Sequence, residues 1–176
     1  MNRSERLQQD GVEGIEPITF YKPKDTWGVF SNFSPHGVYL PDPFDSTSVL
    51  WYKTGEHRFQ AMKATTPEIH EKVRLQPTPY RAKEAGGRGS PVGLVLREGW
   101  GNRYGDLCWY VMLETILAKT VQNNEAYQAL EDAQSRPIYE DSPKDDIWGW
   151  RYDQDYRGKN LLGKCWMTVR DILGIG

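Results

Sequence analysis

Apolar residues alternate with polar ones in short runs through the first third of the chain, then recur every three to four residues through the rest. The period-two runs Ile18-Thr19-Phe20-Tyr21, Val38-Tyr39-Leu40 and Ser48 to Tyr52 predict strands. Ser34-Pro35-His36-Gly37 reads as a turn between them, and Pro41-Asp42-Pro43-Phe44-Asp45 as a turn-rich insertion. Thr54 is placed to cap a helix, and Thr66-Pro67-Glu68 and Thr78-Pro79 are helix starts with proline at the first helical position. Gly86-Gly87 closes the second of these. Arg103 to Thr120 is the longest amphipathic run, followed by a helix over Asn124 to Ala133 and a strand at Ile138-Tyr139-Glu140. A loop rich in Trp, Tyr and Asp spans Ile147 to Gly158. After it Leu161, Leu162, Cys165, Trp166, Val169, Ile172 and Leu173 form the core face of a last helix. The pattern predicts an α+β fold, a small sheet beside a group of helices. Residues 1–16 form a polar tail and residues 17–176 a single domain.

The helix predicted over residues 54–63 has an unusual polar pattern. Glu56, Gln60 and Lys63 stand at i, i+4 and i+7, which puts them on one face within about 10 Å of helix axis. Phe59 and Met62, with His57 at the margin, form the neighbouring apolar face. A stripe of this kind is either a solvated face or an aligned carboxylate, amide and amine with chemistry to perform.

Composition narrows the choice. At 176 residues and a net charge of −2, the chain lacks the broad basic footprint of a protein that holds long nucleic acid, although a nucleotide or one modified base remains compatible. The seven Trp and ten Tyr are mostly core candidates. Cys108 and Cys165 sit in apolar helical patterns, as buried free thiols do. His36, His57 and His70 lack the paired spacing of metal ligands, so no metal site is predicted, and nothing implies a cofactor. With no long apolar run and a polar N-terminus, the expected location is the cytoplasm, with no membrane partner.

Four ordered blocks then point to a family. Phe30-Ser31-Asn32-Phe33, the Glu56-His57-Arg58-Phe59-Gln60-Ala61-Met62-Lys63 helix, Trp148-Gly149 and Gly158-Lys159-Asn160-Leu161-Leu162-Gly163 together resemble the NADAR family, also called YbiA-like. The likeness runs from about Ile18 to about Leu173. It implies an N-glycosidase acting on ribosylated substrates, with its essential glutamate at Glu56 and substrate binding at Asn32. The first reading for this chain is removal of ADP-ribose from a modified guanine base or nucleotide, alone or within nucleic acid. The alternative is hydrolysis of ribosylaminopyrimidine phosphates of the riboflavin pathway, on which some relatives act. The chain departs from the pattern at one point: YbiA-type relatives carry an acidic residue directly after Trp-Gly, where this sequence has Trp150. Asp153 and Asp155 follow, and Asp153 is the first choice for the missing carboxylate because its spacing requires less rearrangement.

Cleaving an N-glycosidic bond builds positive charge on the sugar, so negative charge is needed near the anomeric carbon, together with a positioned water and a donor to the leaving nitrogen. Glu56 is the candidate for charge stabilisation and water activation, and its first-turn position should favour the ionised form. Lys63 is either a fixed cation or an amine that forms a Schiff base with opened ribose. Gln60 is an orienting group. Phe33 and Trp148, with Gly149 at the same turn, are placed to stack on a base. Lys159 and Asn160, and separately Arg88 after Gly87, are candidate phosphate contacts. A module that reads ADP-ribose without catalysis would keep these contacts but would not require both Glu56 and Lys63.

Overall fold

In a computed structural model of the protein, residues 15–150 and 158–175 are described. The alternating runs form strands in two separate two-stranded sheets. Strand β1 (Ile18–Phe20) pairs in parallel with β4 (Ile138–Glu140), Ile18 opposite Ile138 and Phe20 opposite Glu140. Strand β2 (Val38–Asp42) pairs antiparallel with β3 (Asp45–Tyr52). The segment read as a turn-rich insertion is therefore mostly strand. Only Pro43 and Phe44 separate β2 from β3, and Asp45 opens the second strand by accepting hydrogen bonds from Thr47 and Ser48.

Six helices are described: α1 (Gly55–Ala61), α2 (Pro67–Arg74), α3 (Pro79–Ala85), α4 (Leu107–Gln122), α5 (Asn124–Ala133) and α6 (Leu161–Leu173). The first three begin alike, with Thr54, Thr66 and Thr78 each accepting a hydrogen bond from a backbone N–H three residues on. Helix α4 starts four residues later than the apolar period predicts. Asp106 folds the preceding segment into a turn by accepting from the N–H groups of Asn102 and Arg103, both at 2.9 Å.

Helices α4 and α6 pack on each other, α1 lies against α4, and β4 lies against α6. Phe30, Met112, Ile116 and Trp166 are fully or nearly fully buried at their junction. The Trp166 indole N–H donates to the Phe30 carbonyl at 2.9 Å, which ties the Phe30–Phe33 loop to the core. Lys119, completely buried in α4, fastens the same loop by donating to the Val29 carbonyl, to the Ser31 carbonyl at 3.0 Å and to the Ser34 hydroxyl at 2.7 Å. Cys108 and Cys165 are buried free thiols. Among the described residues no helix is long and apolar enough to cross a membrane.

Candidate active site

Helix α1 is buried along its whole length, so its polar stripe is not a solvated face. Thr54 Oγ1 accepts from the His57 N–H at 3.3 Å and lies 2.8 Å from His57 Nδ1. His57 Nε2 is 3.0 Å from the Gln76 carbonyl. A neutral ring satisfies every partner, donating from Nε2 to the carbonyl and accepting the threonine hydroxyl at Nδ1. Burial also pushes the His57 pKa down, which leaves this residue a packing role. Gly55 lets the Asn32 loop approach: a Cβ there would stand 2.9 Å from Asn32 Oδ1. The Glu56 N–H donates to the Asn32 carbonyl at 2.9 Å, so the two motif residues share one anchored corner.

From that corner a hydrogen-bonded chain runs along the helix. Gln60 Nε2 donates to Glu56 Oε1 at 2.8 Å, and Lys63 Nζ donates to Gln60 Oε1 at 2.6 Å and to the Gly86 carbonyl at 3.1 Å. Helix α1 stops at Ala61, so Lys63 stands in the turn that follows, and its ammonium reaches the amide of Gln60. Gly86 makes room for this arrangement, since a Cβ there would lie 2.3 Å from Gln60 Oε1.

The electrostatics of Glu56 differ from those its first-turn position predicts. Only 6% of the residue is exposed, and burial raises its pKa despite the opposing pull of Lys83, the Gln60 hydrogen bond and Lys63. Removal from water outweighs a short helix's dipole. Burial in turn lowers the Lys63 pKa, with Glu56 pulling it back up.

These groups open onto a cleft of about 760 Å³. Asn32, Phe33, Glu56, Gln60, Lys63 and Trp148 all line it. Asn32 is buried, its Nδ2 3.3 Å from the Met112 sulfur, while Oδ1 makes no hydrogen bond. Phe33 meets Tyr80 edge to face at 4.8 Å between ring centres, and Trp148 meets Phe59 in the same manner at 5.0 Å. Asp145 Oδ1 accepts from the Trp148 N–H at 2.8 Å and sets that turn. Gly149 is buried where a Cβ would strike Ser142 at 2.6 Å, so its part is to shape the turn.

Three candidates fall elsewhere. Arg88 is exposed and does not line the cleft. Lys159 and Asn160 border a separate cavity of about 230 Å³ that Trp150 also lines. The Asn160 amide is already committed, for Oδ1 accepts from the Glu140 N–H at 3.0 Å and Nδ2 donates to the Ile138 carbonyl at 2.9 Å. It joins the end of β4 to the start of α6 and does not line the cleft. Asp153 and Asp155 lie outside the described residues.

The cleft also contains groups the sequence reading passed over. Tyr80 and Lys83 come from α3, Asp145 and Asp146 from the loop after β4, and Glu140 from the strand's last position. Glu140 was legible in principle: alternation puts it on the same side of β4 as the core residue Ile138. Among the described residues no three His, Cys, Asp or Glu side chains group as metal ligands.

With this geometry in view, comparison with known proteins is specific. The NADAR domain model matches residues 19–174. The chain belongs to the NADAR family. It is 31% identical over 155 residues to an N-glycosidase of Nostoc punctiforme, covering 88% of this chain and 90% of that protein. Against N-glycosidase YbiA of Escherichia coli K12 it is 30% identical over 175 residues, covering 98% and 97%. The solution structure of E. coli YbiA superposes with a TM-score of 0.73 at 29% identity, over 99% of this chain and 94% of that one. A chloroplastic riboflavin biosynthesis protein of Zea mays, PYRR, is 30% identical over 167 residues, 89% of this chain but 25% of the plant protein.

Proposed function

We propose that this NADAR protein hydrolyses the N-glycosidic bond between ADP-ribose and a modified guanine base or nucleotide. Hydrolysis of an N-glycosyl bond is the activity named in its N-glycosidase relatives. The observation that carries the residue assignment is Glu56, a carboxyl buried in the cleft and held from one side by Gln60 and, through it, Lys63. A carboxylate there faces an oxocarbenium-like sugar without competing water, and its raised pKa makes it a stronger base for the attacking water. The C1′–N bond breaks with its electron pair leaving on nitrogen, and the water oxygen takes the vacated position on C1′. In the Schiff-base variant the neutral Lys63 amine takes that position first, and the C1′–O4′ bond opens as the amine proton passes to O4′ to give the imine of the opened ribose. Water then hydrolyses the imine and frees Lys63. The burial that lowers the Lys63 pKa favours such an amine.

Support for the larger substrate comes from the cleft's size and lining. Its volume lies within the range of about 300–1,000 Å³ usual for small-molecule sites, and the aromatic residues Phe33, Phe59, Tyr80 and Trp148 line it. Lys22, Lys83 and Lys144 also line it and suit a diphosphate. A second reading, a ribosylaminopyrimidine phosphate, is favoured by the likeness to the maize protein. Measuring kcat/KM for ADP-ribosylated guanosine and for the ribosylaminopyrimidine phosphates, in EDTA, separates them. The expected result is a preference of at least tenfold for the ADP-ribosylated nucleoside, undiminished by the chelator. Equal or reversed preference, or loss of activity restored by a divalent ion, contradicts it.

A further inference from the structure

We propose that Glu140, at the end of β4, is the acid that protonates the departing nitrogen, opposite Glu56 as the base. The inference rests on the N-glycosidase reading of the cleft.

The geometry sets the two carboxyl groups apart. Glu56 Oε1 accepts the Gln60 amide at 2.8 Å, an interaction that suits a carboxylate. Glu140 lines the same cleft, but its buried Oε2 has no hydrogen-bond partner. A buried carboxylate oxygen without a donor is costly, which favours the neutral acid, and an acid that lines the cleft has a proton to give a ligand there. The backbone around it is fixed: the Glu140 N–H donates to Asn160 Oδ1, and its carbonyl accepts from the N–H groups of Ser142 and Trp150, each at 2.8 Å.

Its charged surroundings favour the same division. Burial, with Asp145 and Glu56 adding to it and Lys83 opposing, pushes the Glu140 pKa up to about 8. Lys22, Lys63, Lys144 and Asp146 are the other charged groups on the described walls. Strand β1 brings no titratable side chain, and α6 presents the neutral Asn160 amide. Burial raises the pKa of both carboxyls, but the Gln60 hydrogen bond and Lys63 pull Glu56 back toward its ionised form, which suits Glu56 to act as base and Glu140 as acid.

The step balances. As C1′–N breaks, the electron pair goes to nitrogen, which takes the Glu140 proton. Water adds to C1′ and gives a proton to Glu56, and that proton returns to Glu140 through solvent. One water is consumed, and both carboxyls end as they began. Without the acid, the nitrogen must leave as an anion.

Isotope-edited infrared spectroscopy of the wild-type protein should show a glutamic-acid carbonyl band at pH 7 that titrates near pH 8 and is missing from Glu140→Gln. In turnover, the wild-type rate should fall as pH rises past about 8. Glu140→Gln should lose on the order of 10²-fold in kcat and lose that alkaline limb, while KM moves little. A fully ionised Glu140 at pH 7, or a variant that keeps both rate and alkaline limb, overturns the proposal. If wild-type protein releases no base from any N-ribosyl substrate while the infrared band is present, the N-glycosidase reading fails and the protonated carboxyl stands.

Discussion

Glu56, Gln60 and Lys63 show how much a single spacing can carry. The i, i+4, i+7 pattern left both a solvated face and a functional one open, with helix grammar alone favouring the solvated face. Burial excludes that face, for Glu56 and Gln60 are 6% and 4% exposed. Solvent exposure depends on what packs over the helix, here α2, α3 and α4, and that is invisible in a local pattern. Lys63 is the residue whose role divides most sharply by experiment. If it forms a Schiff base, borohydride added during turnover should fix a ribose-containing mass on Lys63, and Lys63→Arg should be as inactive as Lys63→Ala. A cation-only role leaves no adduct and part of the activity in Lys63→Arg. Full activity in Lys63→Ala contradicts both.

The threonine caps, proline starts and alternating runs made most elements legible, since those signals act over three or four residues. What failed were non-local features. The 41–45 segment contains proline and aspartate, yet it is held mostly as strand by pairing with β3, and α4 begins late because Asp106 rewires the turn before it. Likewise nothing local in the sequence marks Lys119, which is buried and braces the Asn32 loop, its pKa pushed down to about 7 by the burial. Helix α1 depends on Thr54 twice, as cap and as partner to His57 Nδ1. Thr54→Ala should therefore destabilise the fold by about 1–2 kcal/mol in urea unfolding, and it should lower activity by loosening Glu56. A change within a few tenths of a kcal/mol contradicts the cap's importance.

Across the molecule, buried titratable groups link the site to stability in opposite directions. Burial holds His70 down to about 4, so its neutral ring supports the fold above about pH 6.5 and that support is lost as pH falls toward 4. Glu140, raised to about 8, has the reverse sign: the fold is favoured at low pH and loses that contribution as pH rises from about 4.5 to 8. Glu140→Gln removes the second contribution, so its Tm relative to wild type should be higher at pH 9 than at pH 5. A Tm difference independent of pH means Glu140 titrates as an ordinary carboxyl. A group kept at such a cost in a cleft fits selection for chemistry over stability. The whole assignment turns on Glu56, and its most direct test is base release from ADP-ribosylated guanosine, followed by mass spectrometry for wild type and Glu56→Gln. Wild type should release guanosine and ADP-ribose, while a folded Glu56→Gln protein should still bind the substrate yet turn it over at least about 10²-fold more slowly. Near wild-type release by folded Glu56→Gln would contradict the assignment.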